Sequence, residues 1–211
     1  MESPPVTLVR FLRAPGPAYQ RLKKEEASHA VRFLCPALIF FSLMTVSMTL
    51  MGITSWPSFL EPAPEGITRV SLAALAVFSL AFLSGLILVV VTGCWLHVWV
   101  YTIGDRRGLS DTIRLVFYGS SPAFLLGWIP YGLGLVMGAI IAIIYYYYGI
   151  REFFEMDFLI AFIIIVFFTV LSVFSLWILV SLGPFFLAFY LLVLMAGSGF
   201  SQRRLRKIRS T

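Results

Sequence analysis

The strongest constraint on this chain is the absence of charge over four long stretches. Residues 33–54, 70–104, 115–150 and 158–202 contain no Asp, Glu, Lys or Arg. A helix rises about 1.5 Å per residue, so about 20 residues cross a hydrocarbon core of roughly 30 Å, and each stretch is long enough to span a bilayer. Long runs without a single charge set the class, a multi-span membrane protein. With 12% charged residues, against about 25% in ordinary soluble domains, the chain could not cover a water-facing surface. The expected fold is all-α, a polytopic transmembrane bundle. A soluble enzyme, a secreted disulfide scaffold and a disordered regulator are excluded.

The punctuation within the runs sets the number of spans. Residues 33–54 make one, and 70–103 make one long tilted helix, since no proline interrupts it. Pro130 and its flanking Tyr131 and Gly132 break the third run into a hairpin of spans at 113–129 and 131–149. Gly183 and Pro184 divide the fourth into 158–181 and 184–200. Six spans result, with five as the alternative. They separate a basic amphipathic lead-in (1–32), a membrane bundle (33–200) and a basic tail (201–211). Within the lead-in, a polar helix is expected from Pro17 to His29, either lying flat on anionic inner-leaflet lipid or serving as an ordinary cytoplasmic lead-in.

Six spans place fifteen of the sixteen basic residues on one side, with Arg69 alone opposite. The positive-inside rule then puts both termini in the cytoplasm. The net charge of +6 follows from this orientation, and no nucleic-acid partner is expected. Tyr145–Tyr148 falls at an inner span end and reads as an interfacial aromatic belt.

Few residues suggest chemistry. Ionisable groups in the hydrocarbon mark coupled transporters, and His97 is the nearest to that depth. Cys94 and His97 share a helix face, and Cys35 should lie at similar depth, but a fourth ligand is missing, so neither metal nor cofactor is expected. No nucleophile–base set or carboxylate pair is visible. Pro122 should kink its span, and Ser110 or Asp111 should cap it. Gly134 and Gly138 form a GxxxG pair, suited to close helix approach within the bundle or to a homodimer seam. Glu152 and Glu155 flank Arg151 as a solvated or salt-bridged helix end.

The order of motifs resembles a known family. His97, the turn from Gly104 to Gly108, Thr112-Ile-Arg114, Tyr118-Gly-Ser-Ser-Pro122, Trp128-Ile-Pro130 and Gly149-Ile-Arg151-Glu152 follow in one run. They are preceded by Phe11-Leu-Arg-Ala-Pro15 and Tyr19-Gln-Arg-Leu22. Over residues 10–178 the chain is similar to the Yip family of Ypt/Rab-interacting membrane proteins, in its short prokaryotic form. The resemblance implies a non-enzymatic multi-pass protein of the cell membrane, or of endoplasmic reticulum or Golgi membranes in a eukaryote. Eukaryotic relatives bind small GTPases and partner membrane proteins in vesicle traffic. Family members usually have five spans, and this chain adds a sixth. The expected role is to scaffold partner proteins and inner-leaflet lipids, homo-oligomers included. The alternative is a transporter or channel for an uncharged or lipid-like substrate.

Overall fold

The computed structural model describes residues 11, 13–25, 27–53, 66–104, 108–129 and 133–183, together with 185, 186, 188–190 and 192. The described residues form helices and no strand. The main elements are α1 (Pro15–Leu22), α2 (Ala27–Leu50), α3 (Ile67–Trp99), α4 (Leu109–Leu126), α5 (Leu133–Phe153) and α6 (Phe158–Leu182). A π-helical turn, Val100–Gly104, extends α3.

Among the described residues, three stretches are long and apolar enough to cross a membrane: Ser28–Leu50, Arg69–Ile103 and Phe158–Leu182. Their outward faces carry exposed Leu, Ile, Val and Phe along their length; Leu75 and Leu88 on α3 and Val173 and Val180 on α6 are examples. Water would reject such a surface and lipid accepts it. Hydroxyls on α2 close local bonds, Ser42 Oγ to Leu38 O at 2.8 Å and Thr45 Oγ1 to Phe41 O at 2.8 Å. These satisfy the polar groups without a partner outside the helix.

At the centre stands α4, packed against α2, α3 and α5. Thr112, the run from Leu115 to Pro122, and Phe124 are all buried. Its small residues Gly119, Ser120 and Ser121 let neighbours approach closely, the usual basis of helix packing in lipid. α5 returns antiparallel beside α4, and α6 joins through Ala161, Ile164, Ile165 and Phe168.

Several boundaries move from those expected. The first long helix begins at Ala27, not at 33, because backbone hydrogen bonding carries a helix beyond its apolar segment. The helix expected from Pro17 to His29 is instead α1, ending at Leu22, and a turn before α2. α4 runs unbroken through Pro122 and ends at Leu126, and α5 continues four residues beyond 149. Gly108 occupies the N-cap of α4 without a side-chain bond; Asp111 instead pairs with Arg114 at 3.5 Å. Residues 1–10, Arg106, Arg107, Pro130, most of 184–200 and the tail 201–211 lie outside the described residues.

A docked lead-in helix and its charged cleft

The lead-in spends its apolar side chains inside the bundle. Phe11 and Tyr19 are 0% exposed and Leu22 is 3% exposed. Phe11 packs edge-on against Tyr19 at 4.9 Å and Phe33 at 5.4 Å, with Tyr145 at 4.9 Å. Tyr118 closes this aromatic group from α4, 5.3 Å from Phe33 and 6.5 Å from Tyr19. Its hydroxyl meets His29 Nδ1 at 3.2 Å. The expectation of a helix lying on lipid is therefore corrected: the apolar side of α1 is covered by protein.

Two glycines make the room. A Cβ on Gly119 would stand 2.7 Å from Tyr146 Cδ1 and 3.0 Å from the Tyr19 hydroxyl. One on Gly149 would stand 2.8 Å from Leu115 Cγ and 3.0 Å from Tyr19 Cζ. Tyr19 thus lies in a slot between α4 and α5 that only glycine leaves open, where its hydroxyl donates to Leu115 O at 3.5 Å. Burial pushes the Tyr19 phenol well above its ordinary pKa, and nearby Tyr146, Tyr145 and Tyr118 add to the shift, so it stays a donor.

Arg114 fixes the end of α1. Its Nη2 donates to Leu22 O at 3.3 Å, to Lys23 O at 3.5 Å and to Glu25 O. A helix leaves its last carbonyls unpaired and carries partial negative charge there, so a half-buried guanidinium is a fitting cap. The same group lies 5.5 Å from the Phe153 ring centroid.

On the outer side of α1, a cleft of about 720 Å³ opens against the end of α5, lined by Gln20, Lys23, Lys24, Arg151, Glu152, Glu155 and Met156. Gln20 Nε2 donates to Glu152 Oε2 at 2.7 Å, Arg151 lies 3.8 Å from Glu152, and Lys23 pairs with Glu155. Glu155 has φ of 56° and follows α5 where the Met156 amide reaches back to Arg151 O at 3.2 Å. That pattern is a helix stop whose left-handed residue is usually glycine.

Of the residues singled out from sequence, Tyr118, Arg151 and Glu152 gather around α1. His97 lies elsewhere, in the α3–α4 seam, its Nδ1 3.0 Å from Thr112 Oγ1. Pro122 is buried in α4. Gly134 and Gly138 serve the other end of the α4–α5 hairpin: a Cβ there would meet Leu126 O at 2.5 Å and Ala123 O at 3.0 Å, respectively. Tyr145 and Tyr146 are buried rather than interfacial, with Tyr146 and Ser120 hydroxyls 2.6 Å apart. Among the described residues no three His, Cys, Asp or Glu side chains are grouped to hold a metal ion. Sequence reasoning missed the buried role of Phe11 and Tyr19, the Gly119–Gly149 slot and the Arg114 cap. Glycines on two helices that must pair were the available signal.

The family model for the Yip1 domain matches residues 9–180. No curated protein and no solved structure matches the chain.

Proposed function

The chain belongs to the Yip1-domain family of membrane proteins, and from that premise we propose that it is a non-enzymatic scaffold which organises partner proteins and anionic lipids at the inner leaflet of the cell membrane. In this reading six spans place both termini and the charged end of the bundle in the cytoplasm. Homo-oligomers or other membrane proteins are the partners, and no nucleic acid or cofactor takes part.

The observation that carries the reading is the docking of α1 on one end of the bundle. Its buried aromatics hold the helix, while Arg13, Gln20, Arg21 and Lys24 remain exposed. Within α2–α6, Arg, Lys, Asp and Glu occur only in the two or so turns nearest the helix ends, and α6 has none. A scaffold needs a recognisable cytoplasmic surface and no coupling charge in the hydrocarbon. Neutralising Arg203, Arg204, Arg206 and Lys207 together should weaken capture of anionic vesicles and leave the bundle folded. Cysteines at Ser58 and Ser210 should label from opposite faces of sealed cells; labelling of both from outside would replace six spans with five.

A transporter for an uncharged or lipid-like substrate is the second reading, favoured by the π-helical turn that closely follows His97, since such distortions concentrate at functional sites. It requires saturable flux in reconstituted vesicles that depends on His97 and Pro122 and ignores the tail.

A further inference from the structure

We propose that the cleft between α1 and the end of α5 is a binding site for one phospholipid phosphate, selective for headgroups of single negative charge. The proposal rests on the reading above, which sets this end of the bundle at the height of the inner-leaflet headgroups. Three cations, Lys23, Lys24 and Arg151, face two carboxylates, Glu152 and Glu155. The cleft therefore carries one net positive charge, which a phosphodiester with an uncharged headgroup neutralises.

The partners divide the work. Lys23 is held by Glu155, and Glu152 is held by Gln20 beneath α1, where its side chain is 19% exposed. Lys24 has no ion-pair partner among the described residues, and Arg151 has a single contact to carboxylate, at 3.8 Å, with its side chain 47% exposed. These two arms remain for the phosphate, Arg151 offering a planar donor fork and Lys24 a point charge.

A second observation concerns Glu155. A non-glycine residue in the left-handed region is strained, and such strain collects at functional sites. Glycine would end α5 without strain, yet the chain places there a carboxylate that lines the cleft and engages Lys23. Its effect is to limit the positive charge on offer. A bisphosphorylated headgroup would bring its extra charge against Glu152 and Glu155, while a zwitterionic headgroup brings no net charge to meet the surplus.

The test uses the purified, delipidated full chain in detergent, with bound lipid counted by native mass spectrometry. Phosphatidylglycerol should bind at one tight site, ahead of phosphatidylethanolamine and of phosphatidylinositol bisphosphate. Lys24→Ala with Arg151→Ala should weaken phosphatidylglycerol about thirtyfold, from roughly tenfold or less per basic residue. Both residues are solvent-facing, so folding should survive; a gain-of-binding variant guards against the contrary. Glu155→Gln should raise the affinity for the bisphosphate and erase its disadvantage. Inorganic phosphate and glycerol 3-phosphate should displace no lipid, and displacement by either would make this a soluble-phosphate site. Phosphatidylglycerol affinity within about threefold of wild type in the double variant, or a preference for the bisphosphate in the native chain, would also overturn the proposal. Labelling of a cysteine placed at exposed Arg21 from outside sealed cells would instead overturn the inner-leaflet reading and leave these affinities as measured.

Discussion

Filling the slot that receives Tyr19 should undock α1 before it unfolds the bundle. Consider Gly149→Ala. The new Cβ would stand 2.8 Å from Leu115 Cγ and 3.0 Å from both Leu115 Cδ1 and Tyr19 Cζ, where carbon atoms prefer about 3.5–4.0 Å. Leu115 and Tyr19 are both 0% exposed, so neither has free space to enter. Overpacking of this kind costs about 1–3 kcal/mol, against which alanine returns up to about 1 kcal/mol of helix propensity. The net loss is about 1 kcal/mol. Gly119→Ala should cost somewhat more, because Tyr146 at 2.7 Å is itself pinned by the Ser120 hydroxyl. Since both act on the seating of one tyrosine, their effects should be less than additive: once α1 leaves, nothing further is lost. Tyr19→Ala gives the sharper test, because in that background Leu115 gains room and Gly149→Ala should become neutral or stabilising. The assay pairs thermal melting in detergent with trypsin cleavage after Arg21, Lys23 and Lys24, which reads release of α1. Single alanine variants that melt at or above wild type with unchanged cleavage would refute the slot.

Three further outcomes follow from the same geometry. The raised pKa of Tyr19 means that the phenolate is disfavoured in the docked state; its stabilising contribution is complete below the unfolded value of about 10 and is lost as pH rises beyond it. Melting temperature should therefore fall more steeply above about pH 10 in wild type than in Tyr19→Phe. Glu155→Gly should relieve about 1 kcal/mol of left-handed strain and surrender an exposed pair worth about 0–1 kcal/mol, so a melt should shift little, whereas Glu155→Val should be clearly destabilised. His97→Ala should cost about 1–3 kcal/mol by stranding the Thr112 hydroxyl, which is 0% exposed, and adding Thr112→Val should recover much of the loss in a double-variant melt.

The long helices were legible because lipid leaves a coarse signature: an uncharged run either reaches across the core or it does not. Their ends were less legible. The helix from Ala27 begins six residues before the uncharged run, since its polar first turns need only backbone partners. The glycine pair at 134 and 138 reads in the sequence as permitting close approach, and in the structure a Cβ at either would meet backbone of the end of α4 and the turn after it. The docking of α1 was not legible. Phe11 and Tyr19 meet α4 and α5 across about a hundred residues of chain or more, and periodicity reports only which face is apolar, never what covers it. Bundle core and lipid look alike to a sequence pattern, because both accept apolar side chains. Arg151 and Glu152 were found as a charged helix end, but the cleft they share with Lys24 exists only once α1 is seated.

That contingency bears on how the protein would work at a membrane surface. An amphipathic segment normally binds lipid by inserting its apolar face, with charge as a supplement. Here the apolar side is already committed to Tyr118, Phe153 and the Gly119–Gly149 slot, which leaves α1 mainly its charged edge to offer. On the proposed reading, contact between α1 and lipid would then be mainly electrostatic, and should weaken as salt shortens the Debye length below about 10 Å. Committing the aromatics also has a gain. Arg114 and the tyrosine slot hold Lys23 and Lys24 at a fixed place beside Arg151, so a ligand need not order the helix on arrival. Binding to a preordered site avoids that entropic cost, and variants that undock α1 should therefore lose headgroup binding even though they leave every charged side chain of the cleft in place.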